Sequence, residues 1–152
     1  MLKVGWASRD IIPSRPAMLQ GQMYRRVARE AADPITCTAL AIEGGTPGDA
    51  ALFISLDMVH VSESLLALVR ERLSRTVPSL PSRNVIMHAT HTHTSLVVED
   101  GLYEHPGGDV MTPGECREFV AVRAADAAAE AWNSRAPQML SLIHISEPTR
   151  PY

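Results

Sequence analysis

The 152-residue chain has little of several things, and each shortage removes a class of function. Lysine occurs once, as Lys3, and the thirteen arginines form no basic run and are not interleaved with aromatics. With a net charge of -3 and 5% aromatic residues, nothing matches the electrostatic footprint of a nucleic-acid binder, so no nucleic-acid partner is expected. The two cysteines, Cys37 and Cys116, form neither a C-x-x-C pair nor a zinc-finger spacing. They read as reduced, partly buried thiols. No stretch approaches the roughly 20 apolar residues of a membrane span, so no transmembrane segment is expected. Met1-Leu2-Lys3-Val4 runs straight into a strand-like segment with no room for a signal peptide. As written the chain reads as cytoplasmic, and as secreted only if a leader is missing. Internal repeats and low-complexity linkers are absent as well.

What is present is enough for one domain with a core. Leu2 to Ser8 alternates around Val4 and Trp6 as a first strand. Ser14 to Asp33 has no clean period and reads as ordered but irregular. Ile35 to Ile42 is rich in threonine and aliphatics and reads as a second strand. Glu43 to Asp49 is a turn by composition, and Ala50 to Leu56 is a continuous apolar run, expected to be a strand buried on both faces. The two runs are expected to pair as a hairpin. Val61, Leu65, Leu68, Val69 and Leu73 then recur at spacings of three and four, predicting an amphipathic helix over Ser62–Arg75 with Ser62 as N-cap.

Asn84 to Ala89 is the next strand, so strand, helix and strand form a βαβ unit with parallel strands. Leu96 to Met111 has no period and reads as a long functional loop in which Tyr103 and His105 are structural. Thr112-Pro113-Gly114-Glu115 supplies a capping box with proline at the first helical position. The helix it opens turns Cys116, Phe119, Val120, Arg123, Ala127 and Ala131 to one side and ends near Asn133. Pro137-Gln138-Met139 begins a further strand. The fold class is therefore α/β, a mixed sheet with a βαβ unit and flanking helices.

The chemistry concentrates at His88-Ala89-Thr90-His91-Thr92-His93-Thr94-Ser95, where three of the six histidines fall within six residues. In extended backbone residues two apart share a face, so His91 and His93 point together and His88 points away. Parallel strands put their carboxyl ends on one sheet edge, where α/β proteins bind ligands. Asp57 ends one such strand and His91 and His93 leave the other. Two imidazoles and a carboxylate on that edge suit a divalent metal, with Asp57 either orienting an imidazole or capping a turn. His60 lies near the same edge and reads as a solvated loop residue.

Three segments carry a family resemblance that covers nearly all of residues 3 to 139. They are Val4-Gly5-Trp6-Ala7-Ser8-Arg9-Asp10-Ile11, Ile54-Ser55-Leu56-Asp57 and Asn84-Val85-Ile86-Met87-His88-Ala89-Thr90-His91-Thr92-His93-Thr94. Together they resemble the amino-terminal part of the neutral (non-lysosomal) ceramidases and their bacterial relatives. The resemblance implies a zinc-dependent hydrolase acting on N-acylsphingosine or a related small-molecule or lipid amide. It implies one Zn2+ ion with His91 as a ligand and His93 as an active-site histidine bonded to the activated water or the substrate oxygen. It also implies further ligands beyond residue 140, so that this stretch alone binds zinc weakly and turns over nothing.

Ser141 to Arg150 resembles a translated sequencing-library adaptor. Residues 140–152 are therefore expected to be a non-native tail on a fragment, residues 1–139, of a ceramidase-like domain. Two alternatives stay open. A His-x-His strand end also occurs in amidohydrolase-type barrels, where both histidines bind metal, and a non-catalytic binding domain could hold its histidines in a turn. A metallo-β-lactamase pattern is excluded, because Ser95 and Leu96 stand where its aspartate and histidine are needed.

Overall fold

The computed structural model describes residues 1–46 and 48–138. The expected tail and Met139 lie outside the described residues. Seven strands and two helices follow in order: β1 (Lys3–Asp10), β2 (Ala17–Leu19), β3 (Arg26–Ala28), β4 (Thr36–Glu43), β5 (Ala50–Leu56), α1 (Glu63–Thr76), β6 (Val85–Ala89), α2 (Pro113–Asn133) and β7 (Ala136–Pro137). Five strands form one sheet in the order β6-β5-β4-β1-β7, while β2 and β3 pair separately. The β4–β5 hairpin is antiparallel and β5–β6 is parallel, so the expected hairpin and βαβ unit are both present. An open mixed sheet replaces the barrel alternative.

Both helices start where local chemistry dictates. The Ser62 hydroxyl accepts from the Leu65 amide at 3.2 Å, satisfying a donor that the first turn of α1 would otherwise leave bare. At α2 the box is reciprocal. The Glu115 amide donates to the Thr112 hydroxyl at 3.2 Å, and the Thr112 amide donates to the Glu115 carboxylate at 2.8 Å. The Thr112 backbone bond, then Arg15 and the Thr112 hydroxyl, hold the Glu115 carboxyl down at about 2. A folded-state value below the unfolded one means a stabilisation that is present above the unfolded range near ~4.3 and is lost as pH falls toward about 2. Urea midpoints should therefore fall between those limits in the native chain and fall less in Glu115→Gln. Thr112→Ala should cost about 1 kcal/mol near neutral pH. An identical acid limb in Glu115→Gln would refute the assignment.

Helix α2 lies across β1 and β4 and packs on α1. Its interface with the sheet is built largely from alanine: Ala7, Ala39 and Ala41 on the strands, and Ala121, Ala124, Ala128 and Ala131 on the helix, are all buried. Small side chains let the helix sit close to the sheet, and Gly5 lets it sit closer still. A Cβ on Gly5 would collide with the Ala131 carbonyl oxygen and stand 2.9 Å from the Arg135 amide. Arg123, expected on the same side of α2 as Cys116 and Val120, is only partly covered and lies over the Phe119 ring at 5.5 Å. Cys37 and Cys116 are buried free thiols, each pushed up to about 11 chiefly by desolvation.

The expectation that Ala50–Leu56 is buried on both faces is corrected. Leu52, Ile54 and Leu56 are fully covered, whereas Phe53 is exposed. Both helices lie on one side of the sheet, and on the other side Trp6, Leu40, Phe53 and Ile86 form a single cross-strand row, each directly opposite the next. All four are exposed, Trp6 by 67%. His88 stands on β6 opposite Ser55, two residues along from Ile86 and exposed like it, and so lies apart from the other two histidines.

Candidate functional site at the carboxyl edge of the parallel strands

Strands β5 and β6 end together. The Thr90 amide donates to the Leu56 carbonyl at 2.9 Å, the last rung before the chain leaves the sheet. Asp57 then joins three segments. Its carboxylate accepts from the Thr36 amide at 2.8 Å, from the Thr36 hydroxyl at 3.0 Å and from the Thr90 hydroxyl at 3.1 Å. Asp57 thus reaches the histidine loop through Thr90, with threonines as its hydrogen-bond partners.

Beyond Thr90 the backbone departs from the extended path expected of it. His91 has φ +66°, the single non-glycine residue with positive φ among those described. That region costs most side chains energy, although histidine enters it more readily than β-branched or bulky residues. Its imidazole is held from behind, Nδ1–H donating to the Val59 carbonyl at 2.7 Å. A proton fixed on Nδ1 leaves Nε2 as the acceptor nitrogen and aims the ring, the arrangement typical of a metal-ligating histidine. The left-handed turn brings His93 alongside. The rings meet edge to face at 5.0 Å between centroids, with Nε2 atoms 3.4 Å apart. Both histidines are exposed. The expected convergence is present, by a turn at His91 where straight strand geometry was expected.

His60, expected to be solvated, is engaged. Its Nε2–H donates to the Glu99 carboxylate at 2.7 Å, and Nδ1 accepts from the Gln20 amide at 3.3 Å. Gln20 belongs to the segment between β2 and β3, a stretch the sequence presents as irregular. Thr92 and Thr94, which alternate with the two histidines, turn instead to a cleft of about 460 Å³ walled by Ile12, Leu19, Ile35 and Leu96. Asp57 also faces that cleft, which is of a size suited to a small-molecule ligand.

Among the described residues no group of three or more His, Cys, Asp or Glu side chains is placed to hold a metal ion. The separation of the two imidazole nitrogens is nonetheless compatible with one. Nitrogens bonded to a tetrahedral zinc at 2.0–2.1 Å lie about 3.3–3.4 Å from each other, the separation found here.

Compared with solved structures, the chain superposes on the neutral ceramidase of Pseudomonas aeruginosa with a TM-score of 0.70 over 90% of its length. The fold is ceramidase-like. The sequences are 17% identical, and the chain spans 22% of the length of that ceramidase. A second structure, a ceramidase complexed with C2, matches with a TM-score of 0.61 at 17% identity and the same coverage. No protein-family model matches the chain, and no curated protein is similar to it in sequence. The resemblance carried by residues 3 to 139 is matched in the fold. Among the described residues no helix is long and apolar enough to cross a membrane.

Gly21, Val59 and the His60–Glu99 pair are site features that sequence alone does not single out. Val59 contributes a carbonyl, which has no sequence signature. Gly21 acts on a residue 72 positions away.

Proposed function

We propose that residues 1–139 are part of a longer zinc-dependent amide hydrolase similar to the neutral ceramidases, with His91 as a metal ligand. The observation that carries this is the imidazole of the exposed residue His91, oriented by the Val59 carbonyl at 2.7 Å on its other nitrogen. A catalytic zinc takes three protein ligands and an open position, so the remaining ligands come from chain outside residues 1–139. When bound, zinc supplies polarisation of a scissile carbonyl and activation of water near neutral pH.

The chain's own residues do the rest. His91 presents its lone pair, fixed in tautomer by Val59. His93 holds a proton at Nε2 within reach of a substrate oxygen. Asp57, through Thr90, anchors the start of the loop to β4 and β5. The substrate class is N-acylsphingosine or a related amide, a choice supported by the ceramidase-like fold. A second reading makes both imidazoles ligands, and the 3.4 Å separation favours it.

The test is zinc content and hydrolysis of a fluorogenic N-acyl amide, measured on the 152-residue chain and on the complete protein. The complete protein should hold one zinc and hydrolyse the amide, while the 152-residue chain holds zinc weakly and hydrolyses nothing. Stoichiometric, tightly held zinc in the shorter chain, or a zinc-free complete protein, would refute the proposal.

A further inference from the structure

We infer that Gly21 is a positioning residue for the imidazole pair, the surface against which His93 is held beside His91. This rests on the proposed role of that pair. Gly21 has φ +109° and lies between β2 and β3. A Cβ at this position would stand 2.5 Å from Cγ, 2.6 Å from Cβ and 2.9 Å from Cα of His93. Because Cα and Cβ are involved as well as the ring, turning the His93 side chain does not relieve the contact. Any side chain at residue 21 displaces His93 as a whole.

The strap carrying Gly21 is fixed on both sides. The Gln20 amide donates to the Ser95 carbonyl at 2.9 Å, two residues beyond His93. The Arg26 guanidinium donates to the carbonyls of both Gln20, at 3.3 Å, and His93. The Gln20 side chain is buried and joins His60, which in turn joins Glu99. Strap and histidine loop are therefore stitched together above and below the point where Gly21 and His93 touch. Among the described residues the His93 ring has one hydrogen-bond partner, His91 at 3.4 Å. A long bond on an exposed ring does little to hold it, and the close glycine contact supplies the missing restraint.

Conformation alone also explains a glycine at φ +109°, so the test must separate the two roles. Gly101 provides the comparison, having φ +83° and nothing within 4 Å of an added Cβ. In the 152-residue chain, a nuclear Overhauser effect between the His91 and His93 ring protons reports the 5.0 Å pairing. It should survive Gly101→Ala and vanish in Gly21→Ala. Gly21→Asn, which adds the same Cβ on a residue more tolerant of positive φ, should abolish it too and serves if Gly21→Ala does not fold. The weak Zn2+ affinity of the chain should drop roughly tenfold to a hundredfold in Gly21→Ala, the scale of other supporting residues around metals. Persistence of the ring signal in folded Gly21→Ala, or in Gly21→Asn when the former does not fold, overturns the inference. Loss of the ring signal with no zinc bound by either protein upholds the positioning role and counts against the zinc reading.

Discussion

Replacing His91 with alanine in the complete protein should abolish stoichiometric zinc and reduce amide hydrolysis at least about a thousandfold, since removing a single oxyanion donor alone costs 10²–10³. The ring removed is the one whose Nδ1–H is tied to Val59 and whose Nε2 lies 3.4 Å from that of His93. His93→Ala separates the two ligand readings. If His91 is the ligand and His93 handles a proton, His93→Ala keeps its zinc and loses turnover. If both rings ligate, each substitution lowers the zinc content. Zinc by mass spectrometry and kcat measured on the same preparations distinguish these results. A His91→Ala protein with unchanged metal and unchanged rate would leave a domain that binds some partner without catalysis.

The largest expected loss of stability comes from Gly5→Val. The atoms a side chain would meet there are the Ala131 carbonyl oxygen and the Arg135 amide, main-chain groups at the end of α2. A flexible side-chain tip can swing aside, but these groups can yield only if the last turn of the helix lifts. Lifting it opens the buried alanine interface with Ala7, Ala39 and Ala41 and forfeits its dispersion contacts. Overpacking of this kind costs about 3 kcal/mol or more, against a total stability of roughly 5–15 kcal/mol for a domain. The melting temperature followed by circular dichroism should fall by roughly 10 °C. A Gly5→Val chain that melts with the native one would show that α2 does not press on β1 as described.

Much of this architecture is legible in the chain because its signals are local. Ser62 and the Thr112–Glu115 box mark where the helices start, and the 3.6-residue period of α1 marks the face it buries. The threonine-rich and aliphatic runs delimit β4 and β5 to within a residue or two. What escapes is whatever depends on distant partners. Strands β2 and β3 are three residues each, too short to show alternation, and exist because they pair with each other. The exposure of Phe53 depends on both helices choosing the opposite face, which an apolar run cannot reveal. In the site, the imidazole pair and Asp57 can be picked out by residue type and by the parallel-strand rule. The left-handed turn at His91 and its contact with Val59 cannot, since a positive φ at histidine leaves no trace in composition.

Asp57 fastens together pieces of chain that are 21 and 33 residues apart, and the imidazoles hang from the last of them. The rings therefore have no preformed arrangement in the unfolded chain and come into register only after three strands have closed. An ion or molecule that bridged them would bind the folded state more tightly than the unfolded one, and mass action would return that difference to the whole sheet as resistance to unfolding.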